Sequence, residues 1–295
     1  MVDDIQSEAA KKRLIHVKGH VDALSLTAQQ ALSLSEAGKG SFQGCLYNLG
    51  SHAFVNALYS WFGLHDLDAM KEWFFLSASL DKKIYEIEID QSGPIGKLLH
   101  PLLSDNRDLI EWYANNPALY PQDRIENTKT ADFFAYQGAV AIRGEWDRLR
   151  DRCARVLADP PRTSQLKKYI IDHQFFLALA DHDVPRMEAA IAAVAKPRAV
   201  RNRANDESGF TESLFSSYAV IYAKIAWFHG FEIKVNSPPL SCGMAAGKAI
   251  IALSSTLQIP RLTSAIWELR LSSQQPGRLA GATGRIVVIA RGLLD

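Results

Sequence analysis

From Leu14 onward the apolar positions Leu14, Val17, Val21, Leu24, Ala28 and Ala31 fall three or four residues apart, so they line one side of an α-helix. The pattern predicts a long amphipathic first helix stopped by Gly38 and Gly40. The stretch from Phe42 to Phe62 is apolar on most sides and predicts a second helix, enclosed nearly all round and ended by Gly63. Leu214, Tyr218, Ile221, Ile225 and Phe228 repeat the helical stripe further on. After His229 and Gly230 the segment FEIKVNSPPL alternates and then meets two prolines, so a short extended piece is expected near 231–237. A helix from Met244 to Leu257 follows. The tail, 272–295, is rich in Gly, Ala and Arg, and GRIVVIARGLL reads as a strand with nothing obvious to pair with.

Four turns share a pattern: GLHDLDAM (63–70), LSDNRDLIEW (103–112), RGEWDRL (143–149) and ADHDVPRM (180–187). Each places an acid where a new helix begins, where a carboxylate accepts the free amide protons of the first turn and complements the helix dipole. These acids are expected to be caps. The last two turns sit in blocks, 136–158 and 173–195, that align at an offset of 37 with a one-residue slip after the turn. The expected fold is therefore all-α, with antiparallel helix hairpins stacked in an α-solenoid-like, tetratricopeptide-like arrangement. The Trp, Leu, Gly, Tyr signature of tetratricopeptide repeats is missing. One helical domain over 1–271 is expected, and KPRAVRNRANDE, near 196–207, is the place for a hinge or exposed loop.

A hydrophobic content of 47 % supplies a substantial core, and a net charge of +1 gives no bulk field toward nucleic acid or membrane. MVDDIQSEAAKKR is not built like a secretory signal, and the most apolar candidate span, around Tyr218 to Phe228, is broken by Lys224. A cytoplasmic location is expected. Cys45, Cys153 and Cys242 lie far apart, as buried thiols do, without the spacing of a disulfide framework or zinc site.

Candidate chemistry is sparse. His16 and His20 stand one helical turn apart, but Lys18 occupies the middle of the motif where a zinc helix has glutamate, and two solvated histidines are expected. His173 falls on the apolar stripe of its helix beside Asp172 and reads as a core histidine. Asp181, His182 and Asp183 crowd a turn where capping already explains the acids. Lys196, Arg198, Arg201 and Arg203 form the one basic cluster, with Asp206 and Glu207 close behind, and read as a solvated loop. No catalytic group, metal, cofactor, direct nucleic-acid contact or membrane contact is expected, and the chain is not expected to be an enzyme. An acidic face is conceivable from Asp81, Glu86, Glu88 and Asp90 together with Asp105, Asp108 and Glu111, and it would suit a basic partner.

The stretch LFSSYAVIYAKIAWFHGFEIKVNSPPL (214–240) resembles the carboxy-terminal portion of the immunity protein 49 family of bacterial polymorphic toxin systems. The matching positions are Ala219, Ala223, Ala226, Gly230, Val235, Ser237 and Pro238. The resemblance covers about thirty residues. Ser104 to Trp112 is also similar in style to a helical immunity group that protects against PoNe-type DNases. Either resemblance implies a protein that binds a cognate toxin and blocks it. With no export signal read at the N-terminus, the toxin is expected to attack a cytoplasmic target such as nucleic acid. The expected contact patch is Asp105, Asp108, Glu111, Trp112, Tyr113 and Tyr120, aromatic anchors ringed by charge. The alternatives are a helical-repeat adaptor that holds a peptide in a concave groove, and an enzyme built on His173 or the Asp181 to Asp183 turn.

Overall fold

A computed structural model of the chain describes residues 2–87, 95–204 and 209–235. The expected helix Met244 to Leu257, the tail 272–295, Cys242, Glu88, Asp90, Asp206, Glu207, Ser237 and Pro238 lie outside the described residues. Within them the fold is all-α. In order, the helices are α1 (Val2–Glu36), α2 (Phe42–Phe62), α3 (Leu67–Ile87), α4 (Leu99–Leu103), α5 (Arg107–Asn115), α6 (Ala131–Ile142) and α7 (Trp146–Ala158). There follow α8 (Ser164–Lys167), α9 (Ile170–Ala180), α10 (Val184–Val194), α11 (Pro197–Asn202) and α12 (Ser217–Phe228). A 3-10 turn, Ile95–Leu98, leads into α4. Residues 231–235 form no strand, so the expected extended piece is irregular backbone where it is described.

The four look-alike turns recur in three dimensions. Each holds one residue in the left-handed region, at His65, Asp105, Gly144 and His182, so the steps between them are 40, 39 and 38 residues. This conformation ends one helix and turns the chain back, and Asp and His tolerate it better than most side chains. The next residue is an acid or amide in every case, but only three of the four cap. Asp66 accepts from the Ala69 amide, Asn106 from Leu109 and Asp183 from Arg186. Glu145 makes no such bond, because its carboxylate is held by Arg143 and Arg148 instead. In the second turn the cap is Asn106 and not the acid Asp105. The last two turns match at 38 residues rather than 37, since Glu145 N–H donates to Val140 and Asp183 N–H donates to Ala178.

Packing runs from neighbour to neighbour: α1 lies on α2, α2 on α3, α3 on α4, α5 on α6, and α7 on α9, which pairs with α10. Helix α12 breaks that sequence. It packs against α4, α6 and α10, and every residue from Ser217 to Trp227 is buried. A helix apolar on all sides has to be enclosed, and this one is covered by members of three successive helix pairs. Its single charge, Lys224, meets Asp105 in the turn between α4 and α5. Close approach fixes one glycine: a Cβ on Gly138 of α6 would lie 2.6 Å from Leu98 Cδ1 and 2.8 Å from Ile95 Cδ1.

The basic segment 196–207 is not an exposed loop along its length. Pro197–Asn202 is helical, and although Lys196, Arg198 and Arg201 face solvent, Arg203 is buried. Its Nη2 donates to Asp172 at 2.6 Å and to the Lys168 carbonyl at 2.5 Å, while its guanidinium lies 4.7 Å from the centre of the Tyr218 ring. Arg203 thereby ties this segment to α9 and α12.

Candidate functional site

The expected contact patch does not assemble. Tyr113 is fully buried and donates to the Ala78 carbonyl, and Tyr120, 2 % exposed, donates to the carbonyl of Tyr113. Both are core residues, which corrects the expectation that they are exposed anchors. The core absorbs them because each hydroxyl finds a carbonyl partner, that of Tyr113 on α3 and that of Tyr120 on α5. Asp105 is also committed internally, to Lys224 and, at 2.8 Å, to Lys71. Burial pushes its carboxyl up, but the charges and hydrogen bonds of the two lysines outweigh that and hold its pKa below the usual range. What stays at the surface is Asp108, exposed, with Glu111 paired to Arg107 at 3.1 Å and Trp112 half-buried under Lys82. The wider acidic face is likewise divided: Asp81 meets His100 at 3.0 Å and Glu86 meets Lys82 at 3.7 Å.

Of the histidines singled out by sequence only His173 is buried; His16 and His182 are exposed and His20 is half-buried. His173 is fully buried; Gln137 Nε2 donates to its Nδ1 at 3.2 Å, while Gln137 Oε1 accepts from Arg152 Nε at 2.6 Å. That chain assigns the imidazole proton to Nε2. Burial, and then the charge of Arg152, lower its pKa to about 3. Asp172 beside it pairs with Arg203, and Asp181 pairs with Arg150 at 3.0 Å. Cys45 and Cys153 are buried free thiols. His16 and His20 place their Nε2 atoms 3.1 Å apart on the outside of α1. Among the described residues no group of three or more His, Cys, Asp or Glu side chains is placed to hold a metal ion. No helix among them is long and apolar enough to cross a membrane.

The surface that does gather reactive and recognition-type side chains is the edge where two successive turns meet. An open groove of 730 Å³ is lined by Gly144 to Arg148, Arg150 and Ala180 to His182. Trp146 stands half-buried in it, edge-on to His182 at 5.6 Å and to His229 at 4.6 Å, with Phe231 5.2 Å beyond His182. His229 Nε2 donates to the Ala141 carbonyl at the end of α6, which locks the end of α12 to the same turn. Arg150 bridges the two helix pairs, donating to Asp147, Asp181 and the Ala180 carbonyl. The edge is thus a fixed row of aromatic and charged groups drawn from three chain segments.

A second groove, of 470 Å³, adjoins it and shares Arg148; Glu126, Asp151, Arg152, Ala154 and Arg155 complete its lining. One carboxylate serves three guanidiniums there. Glu126 Oε1 accepts from Arg148 at 3.0 Å and Arg152 at 2.7 Å, and Oε2 accepts from Arg155 at 2.9 Å. Partial burial works against the charge of Glu126, but hydrogen bonds from Arg155 and Arg148 and the charge of Arg152 prevail and lower its pKa. Arg152, 2 % exposed, is the anchor, since it also donates to the Ile125 and Phe133 carbonyls and to Gln137. Arg152→Lys keeps the charge but cannot reach those acceptors with one planar fork, so it is expected to lower stability by about 2 kcal/mol, measured by urea unfolding.

Sequence spacing carries part of this site. Arg148, Arg152 and Arg155 stand at positions i, i+4 and i+7 of α7, one face of a helix, and that spacing was legible without a structure. Nothing marks Glu126, 22 residues upstream of Arg148, as their shared partner. Trp146 was equally silent, a lone aromatic at a helix start. No protein-family model, no curated protein and no solved structure matches the chain.

Proposed function

We propose that this chain is a binding protein of the immunity type, which recognises a cognate toxin domain and blocks it by covering it. The observation that carries the binding role is the turn edge: an open groove in which Trp146 is set among Arg148, Arg150, Glu145, Asp147 and Asp181. Tryptophan and arginine are the residue types that dominate binding energy at protein interfaces, and here both are held in place before a partner arrives. The toxin, rather than some other partner, rests on the resemblance of 214–240 to immunity protein 49. Further support comes from the way buried charges are used. Asp105, Lys224, Asp172, Arg203 and Arg152 are each engaged by another group inside the fold.

The adaptor reading is the weaker of the two. The surface of α4, α6 and α10 on which an open array would hold a peptide is occupied by α12. The test is growth of bacteria expressing the carboxy-terminal domain of each large protein encoded in the adjacent genes, with and without this chain, followed by co-purification. Rescue and a stable complex are expected, and Trp146→Ala is expected to weaken the complex by about 2 kcal/mol or more. Two soluble proteins that neither rescue growth nor co-purify would remove the immunity reading. A complex indifferent to Trp146→Ala would remove the turn edge.

A further inference from the structure

Four guanidiniums lie over an aromatic floor at the second groove. Those of Arg143, Arg148 and Arg152 each stand 5.1 Å from the centre of the Tyr136 ring, and those of Arg152 and Arg155 stand 4.1 and 5.3 Å from that of Phe133. Cation–π contact and the Tyr136 hydroxyl, which accepts from Arg143 and Arg148, hold the heads in a fixed array. The carboxylates facing them are Glu126, Glu145 and, on the rim, Asp151; nearby Arg124 is taken up by Asp132 at 2.6 Å. Four positive charges therefore face three negative ones. Two of the cations are reachable, because the side chains of Arg148 and Arg155 are 42 % and 47 % exposed.

We propose that this cradle receives a carboxylate from an acidic segment of the partner protein, and that Glu126 is its built-in stand-in. The proposal rests on the binding reading above and names the chemistry of the partner. Glu126 displays the fit directly: both oxygens of one carboxylate are met by three guanidiniums, the charge-assisted geometry that arginine makes best. It is half-exposed and sits in a turn-rich segment between Tyr120 and α6, outside any long helix. An incoming carboxylate can therefore take donors from Arg148 and Arg155 while buried Arg152 stays in place. The excess of positive charge favours an anionic partner element, and the carboxylate already seated there sets its chemistry. The same groove shares Arg148 with the Trp146 groove, so one partner element can reach both.

The test titrates the full chain with an acetylated Glu-Glu-Asp-Glu tetrapeptide and, separately, with inorganic phosphate, following the arginine Nε–Hε resonances. The peptide is expected to shift Arg148 and Arg155, with an affinity that falls as salt rises. Glu126→Gln removes the competing charge and is expected to tighten peptide binding about tenfold. Arg155→Ser, a half-exposed change whose described hydrogen bond is to Glu126 alone, is expected to abolish the Arg148 shift while lowering the melting temperature only slightly. A merely structural ion network predicts the reverse for Glu126→Gln, namely unchanged or weaker peptide binding, and that result overturns the proposal. So does a response to phosphate with none to the peptide. Toxin rescue that survives with a silent peptide would discard the cradle and leave the binding function standing.

Discussion

Lowering the pH from 7 to 4.5 is expected to cost this fold on the order of 5 kcal/mol, nearly all of it below pH 6.5. The main cause is two histidines that are buried neutral; burial lowers the pKa of His229 as well, which adds in the same direction. His52 on α2 meets Ser25 Oγ at 3.2 Å and the edge of Trp73, and burial lowers its pKa to about 4. His173, between Gln137 and the rings of Phe133 and Phe134, is lowered to about 3. Both folded values lie below 6.5, so between 6.5 and about 4 the unfolded chain binds protons that the folded chain refuses. Stability therefore falls as pH falls through that window. Glu126 and Asp105, whose pKa values are also lowered, keep their stabilising charges at pH 4.5 and act only further down. Urea unfolding followed by tryptophan fluorescence at pH 7, 5.5 and 4.5 measures the slope. His52→Leu is expected to remove about half of it, and a midpoint that does not move with pH would contradict the burial of both rings.

Reversal of charge at Asp105 is the second large effect. Asp105→Lys is expected to destabilise the chain by about 3–5 kcal/mol, because it leaves Lys224 buried without its counter-ion and adds a third cation beside Lys71. Asp108→Lys, one turn away and exposed, is expected to cost less than about 1 kcal/mol, the worth of an acid in the first turn of α5. The contrast separates an internal latch from a surface charge within four residues. Lys224→Met in an Asp105→Asn background is expected to recover most of the loss, since a neutral side chain of similar length suits the enclosed helix. Equal melting of the Asp105→Lys and parent chains would mean that Lys224 has another partner.

Residue patterns carried the helices far better than they carried the surface. Phe42–Phe62 ended where the glycine at 63 predicts, and the enclosed character of α12 was visible in its apolar run. The periodicity from Leu14 understated α1, which extends to Val2, because its first turns are polar all round and carry no stripe. The turn acids were legible as a class, yet Glu145 could not be told from Asp66, since the arginines that claim it lie at 143 and 148 and compete through space. Tyr120, flanked by prolines, looked like a loop residue; the segment instead folds inward so that its hydroxyl reaches Tyr113. Arg203 sat in a run of basic residues that differ in nothing but geometry. Long-range pairings such as Glu126 with Arg155 or Lys224 with Asp105 have no local signature, and the candidate site is made of them.

The position of α12 has a consequence for how the chain comes together. Helix pairs that touch only their neighbours gain order one at a time, so an array of them can grow by accretion and tolerate loss of a unit. Here the helix at 217–228 packs on α4, α6 and α10 at once. The fold thereby depends on contacts more than a hundred residues apart, such as Lys224 with Asp105, and contacts of that range slow folding. The regular 40, 39 and 38 residue rhythm of the turns is thus crossed by one helix that touches three of the units at once.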